Sequence, residues 1–104
     1  MQNVYSFILL TKTKLVSTCD MLVISDPVIY LNDHQIEYQG QPIAFDYILF
    51  DDMSAFINYD TIPLIKENHF PIINFFKQTS ISNMFYTNDL IHTIQDIQNE
   101  EVLF

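Results

Sequence analysis

Short runs of branched and aromatic residues, each closed by a polar pair, recur along the first half of the chain and predict a series of strands. Val4–Leu10 (VYSFILL) is the first, followed by a polar turn or edge at Lys12-Thr13-Lys14. A second is expected over Leu15–Ser17 and a third over Met21–Ser25 (MLVIS), after a turn around Thr18–Asp20. Asp26-Pro27 stops that ladder, because proline has no N–H to donate. Val28–Leu31 reads as a short strand and Asn32-Asp33-His34 as a turn, since Asn and Asp tolerate left-handed backbone. Ile36 and Tyr38 alternate with Glu37 and Gln39, which predicts a strand wet on one face that turns at Gly40. Pro42–Phe50 (PIAFDYILF) carries the strongest strand signal, and the unbroken Tyr47–Phe50 should be buried on both faces before Asp51-Asp52 ends it.

The pattern changes at Asp60. Asp60 or Thr61 can cap a helix, Pro63 falls in a first turn where its missing N–H is harmless, and Ile62, Leu64 and Ile65 supply an apolar side. This helix should stop near Asn68, ahead of Phe70-Pro71, and Ile72–Phe76 (IINFF) should return as a buried strand. A last helix is predicted after Asn88 as cap, with Asp89 at the positive end of its dipole. Leu90, Ile91, Ile94 and Ile97 recur at helical spacing, while Gln95, Asp96, Gln98 and Asn99 lie mostly opposite. That stripe either packs on the domain's own sheet or docks onto a second chain.

These elements predict an α+β chain: a small β-sandwich-like domain, or an antiparallel or mixed sheet, with one central helix and a C-terminal amphipathic helix. One domain is expected over residues 1–104, with a β-rich core to residue 86 and a helix and tail over 87–104. The 104 residues suffice for one modest core, burying roughly 65% of the surface of the unfolded chain. Apolar residues make up 49% of the sequence, with nine Phe and six Tyr, so the chain has material for that core and is no disordered acidic tail.

Charge narrows the partners. Thirteen Asp and Glu stand against four Lys and no Arg, a formal net charge of −9. Such a field repels polyanions, which argues against direct nucleic-acid binding and against anionic membrane surfaces. It either serves solubility alone or draws a basic protein partner. The single Cys19 cannot form an internal disulfide and is expected as a small, partly buried apolar residue. No run resembles a signal peptide or a membrane span, so a cytoplasmic protein is expected.

Little in the chain points to catalysis. His34, His69 and His92 lack the short spacings that let ligands converge on a metal. With one glycine there is no phosphate-cradling loop, and no Ser or Thr sits in a nucleophile-elbow context. No cofactor is expected, and the chain is expected not to be an enzyme. Asp51 and Asp52 are neighbours that point apart in extended chain; they are solvated loop residues, or part of an acidic contact patch with Asp46 and Asp60. The second contact candidate is the apolar stripe of Leu90, Ile94 and Ile97.

The order of elements from Gln35 to Tyr86 carries a resemblance. A strand pair leads through Pro42-Ile43 into Asp46-Tyr47-Ile48-Leu49-Phe50, then an acidic turn, a helix, Phe70-Pro71-Ile72-Ile73-Asn74-Phe75-Phe76, and Met84-Phe85-Tyr86. This resembles the amino-terminal β-domain of the CRISPR-associated integrases, the metal-dependent nucleases that insert new spacers, with His69-Phe70-Pro71 in the place of that family's Gly-Ile-Pro entry to a hydrophobic strand. The chain departs from the family in lacking that glycine, in having no Arg and in its tail from Thr87. The family's catalytic Glu, His and Asp belong to a helical carboxy-terminal domain with no counterpart here, so none is carried over. The resemblance implies a non-catalytic protein-binding module that pairs as a homodimer or acts as modulator or inhibitor of a nucleic-acid-processing complex, its partner a CRISPR component. The alternative is an acidic decoy or immunity-type inhibitor, phage-borne or defence-related, that covers the basic groove of a nuclease.

Overall fold

The computed structural model describes residues 5–15, 20–51, 57, 62–68 and 70–99. Its strands are β1 (Phe7–Leu10), β2 (Met21–Ile24), β3 (Ile29–Asn32), β4 (Gln35–Tyr38), β5 (Gln41–Ala44), β6 (Tyr47–Phe50), β7 (Lys66–Glu67), β8 (Phe70–Pro71) and β9 (Met84–Tyr86), followed by helix α1 (Leu90–Gln98). The class is α+β, with strands of both senses and a C-terminal helix.

The centre is a four-stranded sheet in the order β2-β1-β6-β9, parallel throughout. Its two middle strands are apolar at every position because both faces are covered. Alternation along the strands sends Ile8, Leu10, Ile48, Phe50 and Met84 into one core and Phe7, Leu9, Leu49 and Phe85 into another. The first core is closed by the antiparallel sheet β3-β4-β5, through Ile36 with Tyr30, Tyr38 and Ile43 at its margin. The second is closed by α1, through Leu90, Ile94 and Ile97. The β3–β5 meander is thus the connection that carries the chain from β2 across β1 to a parallel β6, in a place where a helix is the usual solution.

Local chemistry places the turns much as expected. Asn32 Oδ1 accepts from the His34 N–H at 2.8 Å and closes the β3–β4 turn. Gln39 and Gly40 both have positive φ, 52° and 79°, the pair of left-handed residues that a two-residue hairpin needs between β4 and β5. A side chain at Gly40 would meet no atom, so its glycine serves backbone conformation alone.

Four expectations are corrected. Pro42–Phe50 is two strands, broken at Phe45-Asp46, where the Phe45 N–H turns to the His34 carbonyl (2.9 Å) and Asp46 is held by Ser6. Leu15 lies outside any strand; Ser17 and the rest of that segment lie outside the described residues, as does Cys19. No helix occupies 62–68: Ile62 and Leu64 are buried while Pro63 and Ile65 are exposed, a period of two, and Lys66–Glu67 pairs with Phe70–Pro71 as a hairpin. Tertiary bonds override the local helix signal there, because the Ile65 N–H goes to Ser80 Oγ (2.9 Å) and its carbonyl receives the Ile72 N–H (3.0 Å). Ile72–Phe76 is no buried strand either, as described below. Asp60, Thr61 and His69 lie outside the described residues.

The α1 cap is Asp89, one residue later than expected, its Oδ1 accepting from the His92 N–H at 3.2 Å. The stripe turns Leu90, Ile94 and Ile97 inward and leaves Ile91 46% exposed. Replacing Ile97, which is 1% exposed, by Ala should therefore cost about 2–4 kcal/mol in urea unfolding, through lost contacts and a residual cavity. Ile91→Ala should stay within about 0.5 kcal/mol. Equal costs for the two would show that this helix does not use its Leu90–Ile94–Ile97 side on the sheet.

Candidate interaction surface

The expected contact set is four carboxylates and three helix residues, of which the structure describes Asp46, Asp51, Leu90, Ile94 and Ile97. Asp46 precedes β6 and Asp51 follows it, so they lie at opposite ends of a strand, roughly 16 Å apart at about 3.3 Å per residue. Asp46 is a local clamp: its Oδ2 accepts from the Ser6 N–H (2.8 Å) and hydroxyl (3.2 Å), while its own N–H donates to the Ser6 carbonyl and hydroxyl, both at 3.0 Å. Asp51 Oδ2 accepts from the buried Thr11 hydroxyl at 2.6 Å, tying the exit of β1 to the exit of β6. Asp52 and Asp60 lie outside the described residues. Asp46 and Asp51 do not share one patch. Leu90, Ile94 and Ile97 are buried in the chain's own core, which leaves them no surface for a second chain in this fold.

Other groupings take their place. At the amino end of the parallel sheet, Asn83 Nδ2 donates to the carbonyls of both Asp33 and Asp46, and the Asp20 carbonyl receives the Phe7 N–H at 2.8 Å. Asp20, Asp33 and Asp46 are all exposed there, with His34 Nε2 at 3.7 Å from Asp33 Oδ1. Lys12 and Lys14 follow the opposite, carboxyl end of β1, and Lys66 and Lys77 belong to the segment between β6 and β9. The carboxyl end thus carries both signs, since Asp26 and Asp51 follow β2 and β6 there, while the amino end shows carboxylates without lysine among the described residues.

The carboxyl end of the sheet, where open parallel sheets commonly bind ligands, carries a cleft of about 390 Å³ beside Asp51, Phe70, Ile73, Lys77, Tyr86 and Asn88. Its polar groups serve the fold. Asp51 holds Thr11, and Thr87 Oγ1 accepts from the Asp89 N–H (3.0 Å) and the Thr93 hydroxyl (2.9 Å). Among the described residues no three metal-ligating side chains converge; His92 meets only Asp96, at 3.5 Å. The Tyr38 hydroxyl donates to Asp26 Oδ2 at 2.9 Å, and this bond raises the Tyr38 pKa above its ordinary 10.0. Burial and the Asp33 charge raise that of Tyr30. What either tyrosine adds to stability is fully present below pH 10 and is lost as pH rises through its folded value.

The feature with no structural use is apolar. In the β7–β8 hairpin, pairing places Leu64, Lys66 and Pro71 on the inward face and Ile65, Glu67, Phe70 and Ile72 on the outward one. Ile65 is 61% exposed, Phe70 59% and Ile72 47%. The chain then turns sharply at Asn74, whose Oδ1 accepts from the N–H groups of Phe76 (2.9 Å) and Gln78 (3.0 Å), with Lys77 at φ 69°. This turn throws Phe75 out to 89% exposure, its ring edge-on to Phe76 at 5.4 Å, and Ile73 links the turn to the hairpin. The run IINFF supplies surface where sequence reasoning expected core. Its warning signs were Asn74 in mid-run and Lys77 at its end, which together favour a turn over a strand.

No helix among the described residues is long and apolar enough to cross a membrane. Comparison of the chain with protein-family models, with curated proteins and with solved structures finds no match in any of the three.

The Thr11–Asp51 bond joins two strand exits and is testable by unfolding. Thr11→Val should cost about 1–3 kcal/mol by leaving a carboxylate oxygen without its partner, and Thr11→Ser distinctly less. A Thr11→Val variant as stable as wild type would show that the bond to Asp51 adds nothing to stability.

Proposed function

We propose that this chain is a non-catalytic protein-binding module, pairing with itself or docking on a larger nucleic-acid-processing complex as modulator or inhibitor. The observation that carries the proposal is the outward apolar face of Ile65, Phe70 and Ile72 continued by Phe75. Scattered apolar residues on a surface mean little, but a hairpin face that sets three large apolar side chains side by side, with an exposed aromatic three residues on, has the composition of an interface core. The resemblance of Gln35–Tyr86 to the CRISPR-associated integrase β-domain suggests the kind of complex. The packing of β3–β5 over β1 and β6 is the layering that a sandwich-like domain would need. The absence of a helix over 62–68 and of a strand over 72–76 departs from the element order on which that resemblance rests.

A second reading, the acidic decoy, is favoured by a different observation: Asp20, Asp33 and Asp46 stand together at one end of the sheet with no lysine among them. A basic groove would seat there and would be bound through screened Coulomb attraction.

Affinity capture from the native host, with wild-type, Phe70→Ser/Phe75→Asp and Asp20→Asn/Asp33→Asn/Asp46→Asn baits at 50 and 300 mM salt, separates the two readings. Proteins lost with the first variant at both salts support the apolar surface; loss with the second variant and on raising salt supports the decoy. An identical recovery with all three baits would reject both surfaces.

A further inference from the structure

We infer that the outer edge of β3, from Val28 to Asp33, takes an added strand: an extended segment of another protein carrying a lysine or arginine that meets Asp33. The inference rests on the protein-binding reading and gives it a site apart from the Phe70 and Phe75 surface.

Backbone geometry is the first argument. The Phe45 N–H bonds the His34 carbonyl, and the two-residue turn at Gln39-Gly40 closes on the pair Tyr38–Gln41, so His34, Ile36 and Tyr38 direct their N–H and C=O groups toward β5. Gln35 and Glu37 then direct theirs toward β3. Ile29, opposite Glu37, is bonded inward, while Tyr30, opposite Ile36, and Val28 turn their N–H and C=O groups away from the sheet. No described residue bonds those groups.

Two other edges are closed. In β5 the same alternation points Pro42 outward, where it has no N–H to offer. Along β9 the chain lays down Gln78 and Thr79, whose N–H bonds the Met84 carbonyl. β3 has neither Pro nor Lys, the residues that usually blunt an open edge, and it exposes the apolar side chains of Ile29 and Leu31.

Space and charge select the occupant. A cleft of about 580 Å³ lies between Tyr30–Asp33 and a wall of Pro63 and Ser80–Ser82. Backbone donors and acceptors at the lip of a cleft are matched by extended chain, and Val28 to Asp33 offers roughly 16 Å of edge at about 3.3 Å per residue. Asp33 lines this cleft, and burial together with the Asp33 charge raises the pKa of the Tyr30 hydroxyl. Asn83 ties the carbonyls of Asp33 and Asp46 together, and no described lysine lines the cleft. A basic segment is therefore drawn in, whereas a second copy of this chain would set Asp33 and a net charge of −9 against its like.

Selection of random nine-residue displayed peptides on the full chain at 50 mM salt, with the strongest binders remade as free peptides, tests the inference. Enriched peptides are expected to carry Lys or Arg among alternating branched or aromatic residues and to slow exchange of the Val28 and Tyr30 amides. Methylating alternate backbone nitrogens of these peptides should weaken them about tenfold or more, with every side chain retained. Asp33→Asn should weaken them about threefold or more at 50 mM salt and flatten the salt dependence, while Phe70→Ser/Phe75→Asp should leave them within about twofold. No enrichment, binders that protect other amides, or binders indifferent to N-methylation would overturn the inference. A dimer of the chain alone that protects the same two amides would overturn it too, by making a second copy the occupant. In each of these events, loss of captured host proteins with Phe70→Ser/Phe75→Asp would still uphold the broader protein-binding reading, so the two can fail separately.

Discussion

Everything in this fold depends on covering a parallel sheet on both faces. β1 and β6 lie at its centre, and each sends alternate residues into two separate cores. Parallel strands cannot be joined by tight hairpins, so the chain must cross over between them, and each crossover is a chance to cover a face. Here the β3–β5 meander covers one face and α1 the other. Two short layers on a small sheet are enough because the middle strands hold no polar side chain except the Tyr47 hydroxyl at the entry of β6.

The strand ends are stitched by polar side chains whose chemistry would look catalytic in isolation. Thr11 with Asp51, Ser6 with Asp46, and Thr87 with Thr93 and Asp89 each satisfy a hydrogen-bonding group where a ladder stops. Their short distances reflect that task. No buried side-chain nitrogen or oxygen among the described residues lacks a partner. The apolar surplus lies elsewhere, on the hairpin and turn that join β6 to β9. That segment returns the chain to a β9 parallel to β6; it buries Ile57, Ile62 and Leu64 in the first core and rests Phe76 on the second, while Ile65, Phe70, Ile72 and Phe75 stay outside.

Charge and apolar surface overlap only in part. Asp20, Asp33 and Asp46 lie at the amino end of the strands, Asp26 and Asp51 follow β2 and β6 at the carboxyl end, and Glu67 stands on the outward face of β7–β8 beside Ile65, Phe70 and Ile72.

Much of this was legible in the sequence. Period-two alternation predicted β4, the unbroken YILF predicted a strand buried on both faces, Gly40 and Asn32 predicted turns, and the stripe of Leu90, Ile94 and Ile97 predicted the helix. These signals are local, set by side-chain periodicity and by backbone conformations that few residues tolerate. Tertiary structure alone decided the parallel order of the sheet, the side on which α1 packs, and the fate of residues 62–76. There Ile65 bonds Ser80 and Ile72, partners fifteen and seven positions away, and these bonds replace the helix that local propensity favours. It also decided that Asp46 and Asp51, five residues apart, stand at opposite ends of a strand. Sequence carries the periodicity that makes a residue apolar on one side; only the packed chain determines whether that side meets its own core or faces outward.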